Sequence, residues 1–465
     1  MYRIRLIVVA IVFLCCGTCE AYSLYVDGAT GDDSNTYAQV AAGTHKWATP
    51  GRAFWGSTNQ ESPNASEAAQ AGDTVYIAAG TYIVNRTKTD HYNGTLYPAN
   101  VGTAGNQITF QAVGTVVLQQ TGERGPILGV RAYTVLDGFT VNEANALIGA
   151  DSGVIHSSAE NATIQNCTIV GTYDDIEGED NHSGIRIQGG GSNLIKNNDI
   201  SGFTGNNGNN DAEICMYYAD NTVIEHNKIH DGVTGIHIKG DCNGTIVRYN
   251  LIYGHSNKGI RLLQTGESGN TTKIYQNIIR DSDYVGIEFN ASAPGYPQYT
   301  YVVNNTIVDI AQVPILFNDG VGENNYVYNN ILYGGTHGIY STPATNDHFT
   351  SNYNNVYAST YFGRYNSTNY ETRAAFSSAS GWDANSITTD PSFVDYANDN
   401  FKLNAGSGAI GTGLDILDLD GDSATDDAIT MGAYITGNET IGIETSGSTP
   451  TRKLNNVTGV RVTLH

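Results

Sequence analysis

The chain has 465 residues, a formal net charge of -23 and 40% apolar residues. That length can carry a large core, and the apolar content excludes wholesale disorder. The negative charge disfavours nucleic acid and anionic membranes as partners. The 54 Gly and 30 Tyr against only 10 Pro suit many short strands joined by tight turns, where Gly and the abundant Asn accept left-handed backbone conformations.

At the N-terminus, Arg3 and Arg5 precede an apolar run from Leu6 to Cys16, followed by small residues from Gly17 to Ala21. This pattern reads as a signal peptide over residues 1–21, so the protein is expected to be secreted, extracellular or periplasmic. No later segment offers about 18 consecutive apolar residues, so membrane insertion is not expected. Three cysteines leave with the signal. Cys167, Cys215 and Cys242 remain, an odd number without metal-type spacing, so a disulfide framework is not expected.

Residues 22–110 read as an N-terminal cap with the first coils, and an internal repeat dominates residues 111–358. Its first motif recurs as Gly184-Ile-Arg-Ile-Gln, Glu213-Ile-Cys-Met-Tyr, Gly235-Ile-His-Ile-Lys, Gly259-Ile-Arg-Leu-Leu, Gly286-Ile-Glu-Phe-Asn, Pro314-Ile-Leu-Phe-Asn and Gly338-Ile-Tyr-Ser-Thr. Between these copies a second motif sets Asn198, Asn227, Asn250, Asn277, Asn305, Asn330 and Asn355 at one recurring bend. Both motifs alternate with period 2, so each is a short strand with one buried face. Short strands repeating every 22 to 29 residues stack coil on coil into an all-β parallel solenoid. Residues 359–436 are expected to close its open end, and 437–465 read as a linker-like tail. The acidic stretch 418–427 reads as a solvated turn rather than a calcium loop, because it matches the calcium-loop pattern only in part.

"GDTVYIAAGTY" (72–82), "LDGFTV" (136–141) and the Ile/Asn coils resemble the secreted right-handed parallel β-helix proteins of the pectate-lyase-like superfamily. "TDPSFVDYANDNFKLNAGSGAIGTG" and "MGAYI" resemble the end of the same class. The resemblance covers about residues 22–436 and implies a right-handed parallel β-helix with an N-terminal cap and a C-terminal closing segment. It does not select an activity, since the scaffold hosts lyases, hydrolases, epimerases and adhesins.

Stacking converts the repeat into columns of outward side chains about 4.8 Å apart. One column reads Arg186, Cys215, His237, Arg261, Glu288, Leu316, Tyr340. The next reads Gln188, Tyr217, Lys239, Leu263, Asn290, Asn318, Thr342. His237, Lys239, Arg261 and Tyr217 thus converge on one patch expected to face solvent. Uronate β-elimination needs a cation on the substrate carboxylate, a base for the α-proton and an acid for the leaving oxygen. Lys239 is the candidate base, Arg261 the carboxylate ligand, and His237 or Tyr217 the assistant. Arg186, Tyr217, Glu288 and Tyr340 are candidate substrate contacts. The alginate lyase and chondroitinase B-like branch of the superfamily uses a Lys base with an Arg one coil later, and Lys239 and Arg261 are similarly spaced. An exposed Arg261–Glu288 ion pair accounts for both residues without chemistry. The acidic loops "YDDIEGEDNH" (173–182) and "NNDAE" (209–213) enter the same face, with Asp211 and Glu213 the candidate ligands for Ca2+. The leading expectation is a monomeric polysaccharide lyase acting on an acidic polysaccharide. A non-catalytic carbohydrate-binding or adhesion protein is the alternative, and a glycoside hydrolase or epimerase the third.

Overall fold

The computed structural model describes residues 20–87, 93–142, 153–171, 182–204, 211–291, 295–318, 320–343, 348–424 and 427–444. Nearly all of the signal segment, all but His182 of the loop 173–182, and the tail beyond Glu444 lie outside the described residues.

The period-2 motifs form short parallel strands, and each coil repeats the one before it. In one coil Thr234–Lys239 lies on an 11-stranded sheet, followed by Ile246–Arg248 and Leu251–Tyr253 on the rest of the wall. The next coil repeats this with Lys258–Leu262, Thr272–Tyr275 and Ile278–Arg280. The coils stack parallel and in register, pairing Ile236 with Ile260, Val247 with Ile274 and Ile252 with Ile279. All six of these side chains are fully buried. Farther along, Phe289, Phe317 and Phe349 stack ring on ring through the core, with centroids 4.4 and 3.7 Å apart.

The bend between the two short strands carries the asparagine ladder. Asn198, Asn227, Asn250, Asn277, Asn305 and Asn330 each donate from Nδ2 to Oδ1 of the next amide at 2.9–3.1 Å. The last acceptor is Asn354, not Asn355 as the motif alignment suggests. Asn355 pairs with Ile331 instead, and its buried side-chain amide has no hydrogen-bond partner among the described residues. Adjacent asparagines made the alignment ambiguous by one position, and only the pairing resolves it. Each ladder residue follows one in the left-handed region (Asn197, His226, Tyr249, Gln276, Asn304, Asn329 and Tyr353), with φ of 53–58°. That sharp turn aims the amide inward, where it satisfies backbone groups that the bend would otherwise orphan.

The ends are closed differently. Near the N-terminus the buried helix Pro50–Trp55 lays Phe54 on Phe110, with centroids 3.7 Å apart. At the far end Tyr361–Tyr365 pairs antiparallel with Thr368–Tyr370, and helix Arg373–Ser380 sets Phe376 against Phe362. The chain then runs back along the outside of the wall. Ile416, Leu417, Leu419 and Ile429 cover Tyr275, Val303 and Tyr328, while Phe401 and Ala433 cover Ile278 and Val308. Residues read as the start of a tail continue this path, with Gly442 N donating to Tyr249 O (2.8 Å) and Glu444 N to Asn197 Oδ1 (3.0 Å). Cys167, Cys215 and Cys242 are free and buried. No helix among the described residues is long and apolar enough to cross a membrane.

Candidate functional site

The 11-stranded sheet carries the first motif, and its register fixes which side chains share a column. Arg186 pairs with Cys215, Cys215 with His237, His237 with Arg261, Arg261 with Glu288, Glu288 with Leu316 and Leu316 with Tyr340. Gln188, Tyr217 and Lys239 pair in the neighbouring column. The column also extends beyond the motif, with His156 before Arg186 and Arg364 after Tyr340. Neither sits in a Gly-Ile-x-Ile copy, so sequence alignment passed over both.

These side chains point away from the core, yet most are covered. His237 and Cys215 are fully buried, Glu288 is 3% and Arg186 4% exposed, and Lys239, Tyr217, Arg261 and Tyr340 are half-buried. The expectation that the column faces solvent is therefore corrected. Rows spaced by about 4.8 Å bring long side chains into contact over the shorter ones. Tyr217 lies between cations, with the Arg186 guanidinium 4.8 Å and the Lys239 ammonium 5.5 Å from its ring centroid. Its centroid is 6.4 Å from that of His237.

Arg261 Nε lies 3.0 Å from Glu288 Oε2, so the expected ion pair exists, but it is buried rather than exposed. Glu288 is shared. Lys258 Nζ lies 3.7 Å from the same oxygen and 5.5 Å from the Tyr284 ring centroid. Lys258 is the residue that sequence reasoning missed. Its side chain precedes the Gly-Ile motif, a position held by Thr234 and Val285 in the adjoining coils, so no repeated charge marked it. Burial, with Arg261 beside it, lowers the Lys258 pKa, and Glu288 opposes that shift. Arg186 and Arg261 are engaged by further partners as well.

His237 is the most unusual group on the patch. It is completely buried, and neither ring nitrogen has a hydrogen-bond partner among the described residues. Burial first, then the charges of Arg261, Lys239, Lys258 and Arg186, hold its pKa well below the usual histidine range. An unfolded His237 takes up a proton near pH 6.5, whereas the folded one resists it. The stability this contributes is fully present above about pH 6.5 and is lost as pH falls below that value. His237→Gln should flatten the acid limb of the stability curve by up to about 1.4 kcal/mol per pH unit. Urea unfolding midpoints from about pH 5 to pH 7 measure this, and an unchanged limb would place the proton uptake elsewhere.

Beyond Glu288 the face turns apolar, with Val285, Val313 and Leu316 buried together. It ends on a second aromatic and cationic group, where Arg364 sits 5.0 Å from the Tyr340 ring and His337 stacks on Tyr361 at 5.0 Å.

Asp211 and Glu213 do not form a surface cation site. Asp211 is buried and accepts from His182 N at 2.8 Å. Glu213 takes the place of Gly184 and Gly235 in the motif, so its side chain turns into the solenoid, where Oε2 meets His255 Nε2 at 3.2 Å. Both partners are fully buried, and burial raises the Glu213 pKa against the opposing pull of His255. Among the described residues, the carboxylates close enough to share a cation are Asp415 with Asp420 and Asp427, and Asp418 with Asp420 and Asp422.

A family described as the right-handed β-helix region matches residues 152–332. Among solved structures, the pectate lyase Pel9A aligns with a TM-score of 0.55 at 14% identity, covering 89% of this chain and 96% of its own. A rhamnogalacturonan lyase aligns at 0.42 with 14% identity, over 67% of this chain and 82% of its own. The GH136 lacto-N-biosidase from Eubacterium ramulus aligns at 0.42 with 12% identity, over 72% and 68%. No curated protein matches the chain in sequence. The likeness to the pectate lyase is of fold, at an identity too low to carry an activity.

Proposed function

This chain is a right-handed parallel β-helix protein of pectate-lyase-like fold, and from its cation-lined face we infer a secreted polysaccharide lyase acting on a uronate-containing polymer. The observation that carries this reading is a buried His237, without a hydrogen-bond partner among the described residues, set among the charges of Arg186, Lys239, Lys258 and Arg261. Such a cluster favours an anion laid over it, which a protein of net charge -23 otherwise repels.

In this mechanism Arg261, oriented by Glu288, receives the substrate carboxylate and stabilises the charge that develops when the adjacent proton leaves. Lys239, in its neutral amine form, takes that proton and becomes the ammonium. The bond to the β-oxygen breaks, a double bond forms between the two carbons, and Tyr217 returns a proton to the departing oxygen. His237, neutral in this setting, holds the spacing between the cations. Arg186 and Tyr340 contact sugars farther along the polymer. A glycosidase needs two carboxylates flanking the bond, and Glu288 is already committed to Arg261 and Lys258.

The test is a panel of polygalacturonate, alginate and chondroitin, assayed for the ultraviolet absorbance of an unsaturated uronate and for new reducing ends. New ends without absorbance would favour a hydrolase. Binding without either signal would favour the adhesion reading. Because Arg261 supplies the positive charge, EDTA should leave the rate unchanged within about twofold, against the 10²–10³-fold typical of losing a charge stabiliser. A loss that Ca2+ restores would overturn the arginine-centred mechanism.

A further inference from the structure

We propose that Tyr218 is a stacking platform for a pyranose ring of the bound polymer, at the edge of the cationic patch. The proposal rests on the carbohydrate reading above. Tyr218 is 63% exposed although it directly follows Tyr217. Its backbone is left-handed, with φ of 54°, a conformation that glycine adopts freely and a bulky residue only at a cost. The adjoining coils confirm what this turn prefers. Gln188, Tyr217 and Lys239 are in register, and the residues that follow the outer two are Gly189 and Gly240, with φ of 86° and 74°. The backbone is continuous across them, with Gly189 N donating to Tyr217 O at 2.7 Å and Tyr218 N to Gly240 O at 2.8 Å. A tyrosine stands where both neighbours have glycine.

The ring is also seated. A Cβ placed on Gly240 would lie 3.2–3.3 Å from three carbons of the Tyr218 ring, so the ring lies close against that glycine. On the other side, a Cβ on Gly189 would meet nothing within 4 Å. The other left-handed tyrosines, Tyr133, Tyr249, Tyr299 and Tyr353, are all half-buried; Tyr353 packs against the returning C-terminal chain, and Tyr249 is hydrogen-bonded to it at Gly442 and stacks on His226. Tyr218 has no such cover among the described residues. A strained, exposed aromatic ring seated on the glycine that follows Lys239 suits the C–H face of a sugar whose neighbour presents its carboxylate to the cations.

The experiment uses the full chain in affinity electrophoresis through gels containing polygalacturonate, alginate or chondroitin, with Tyr218→Phe and Tyr218→Gly alongside the wild type. Tyr218→Gly should weaken retention roughly tenfold, equivalent to about 1.4 kcal/mol. Tyr218→Phe, which keeps the ring face, should stay within about twofold, or about 0.4 kcal/mol. Thermal unfolding of Tyr218→Gly should be unchanged or higher, because glycine suits the turn. Equal retention of Tyr218→Gly and wild type overturns the platform while leaving the lyase reading intact. So does a fall in Tm with unchanged retention, which would make the ring a packing element. A wild type retained by none of the three polymers overturns the carbohydrate reading and the platform with it.

Discussion

Lys239→Ala is expected to lower β-elimination by about 10²–10⁴-fold, the usual contribution of a positioned general base. Lys239 is half-buried, its ammonium lies 5.5 Å from the Tyr217 ring centroid, and its removal orphans no buried carboxylate among the described residues. Unfolding midpoints should therefore stay close to wild type, separating a catalytic loss from a folding loss. Arg261→Ala should cost about 10²–10³-fold in rate, together with some stability, because Glu288 is then left to Lys258 alone. Glu288→Gln provides the control. If Arg261 serves only its buried ion pair, Arg261→Ala and Glu288→Gln will lower stability alike and leave the rate per folded molecule unchanged. That result would remove Arg261 from the mechanism. Lys239→Arg should not restore the rate, since a guanidinium stays protonated and cannot act as the base.

The second large effect concerns the scaffold. Asn250→Ala should destabilise the protein by about 3–5 kcal/mol. Asn250 Oδ1 accepts from both the backbone N–H and Nδ2 of Asn227, each at 3.0 Å. Its Nδ2 donates to Ile224 O, Arg248 O and Asn277 Oδ1, each at 2.9 Å. Alanine would strand several of these buried groups at once, and the cost of an unmet buried donor exceeds the net worth of an ordinary hydrogen bond. Because stacked coils stabilise their neighbours, the damage should spread along the ladder rather than stay at one bend. Urea unfolding followed by circular dichroism measures it, with the exposed Thr168→Ala as a reference expected within about 0.5 kcal/mol. A shift for Asn250→Ala no larger than that of Thr168→Ala would show that the bend is held by its backbone.

Much of this architecture is legible from the chain because parallel coils stack in register. Once two copies of Gly-Ile-x-Ile are aligned, the partner of every residue within the motif follows. The order Arg186, Cys215, His237, Arg261, Glu288, Leu316, Tyr340 therefore follows from the repeat alone. The alignment slipped at Asn354 and Asn355, where two identical residues offered two phases. It was silent about Lys258, whose position carries no repeated charge, and it read Glu213 as an outward Ca2+ ligand, whereas a carboxylate at the motif glycine turns inward to His255.

The sequence by itself determined the periodic part of the protein: which residues alternate, which asparagines recur, and which side chains fall in one column. Period-2 alternation and a recurring bend are local properties, and stacking only copies them along the axis. Tertiary structure alone decided how those columns are covered. Burial of His237, the sharing of Glu288 between Arg261 and Lys258, and the return of residues 383–424 and 427–444 along the outer wall depend on side-chain reach and on aperiodic segments. For the patch at the centre, the letters put the charges in a row, and packing set which of them are neutral, paired or accessible.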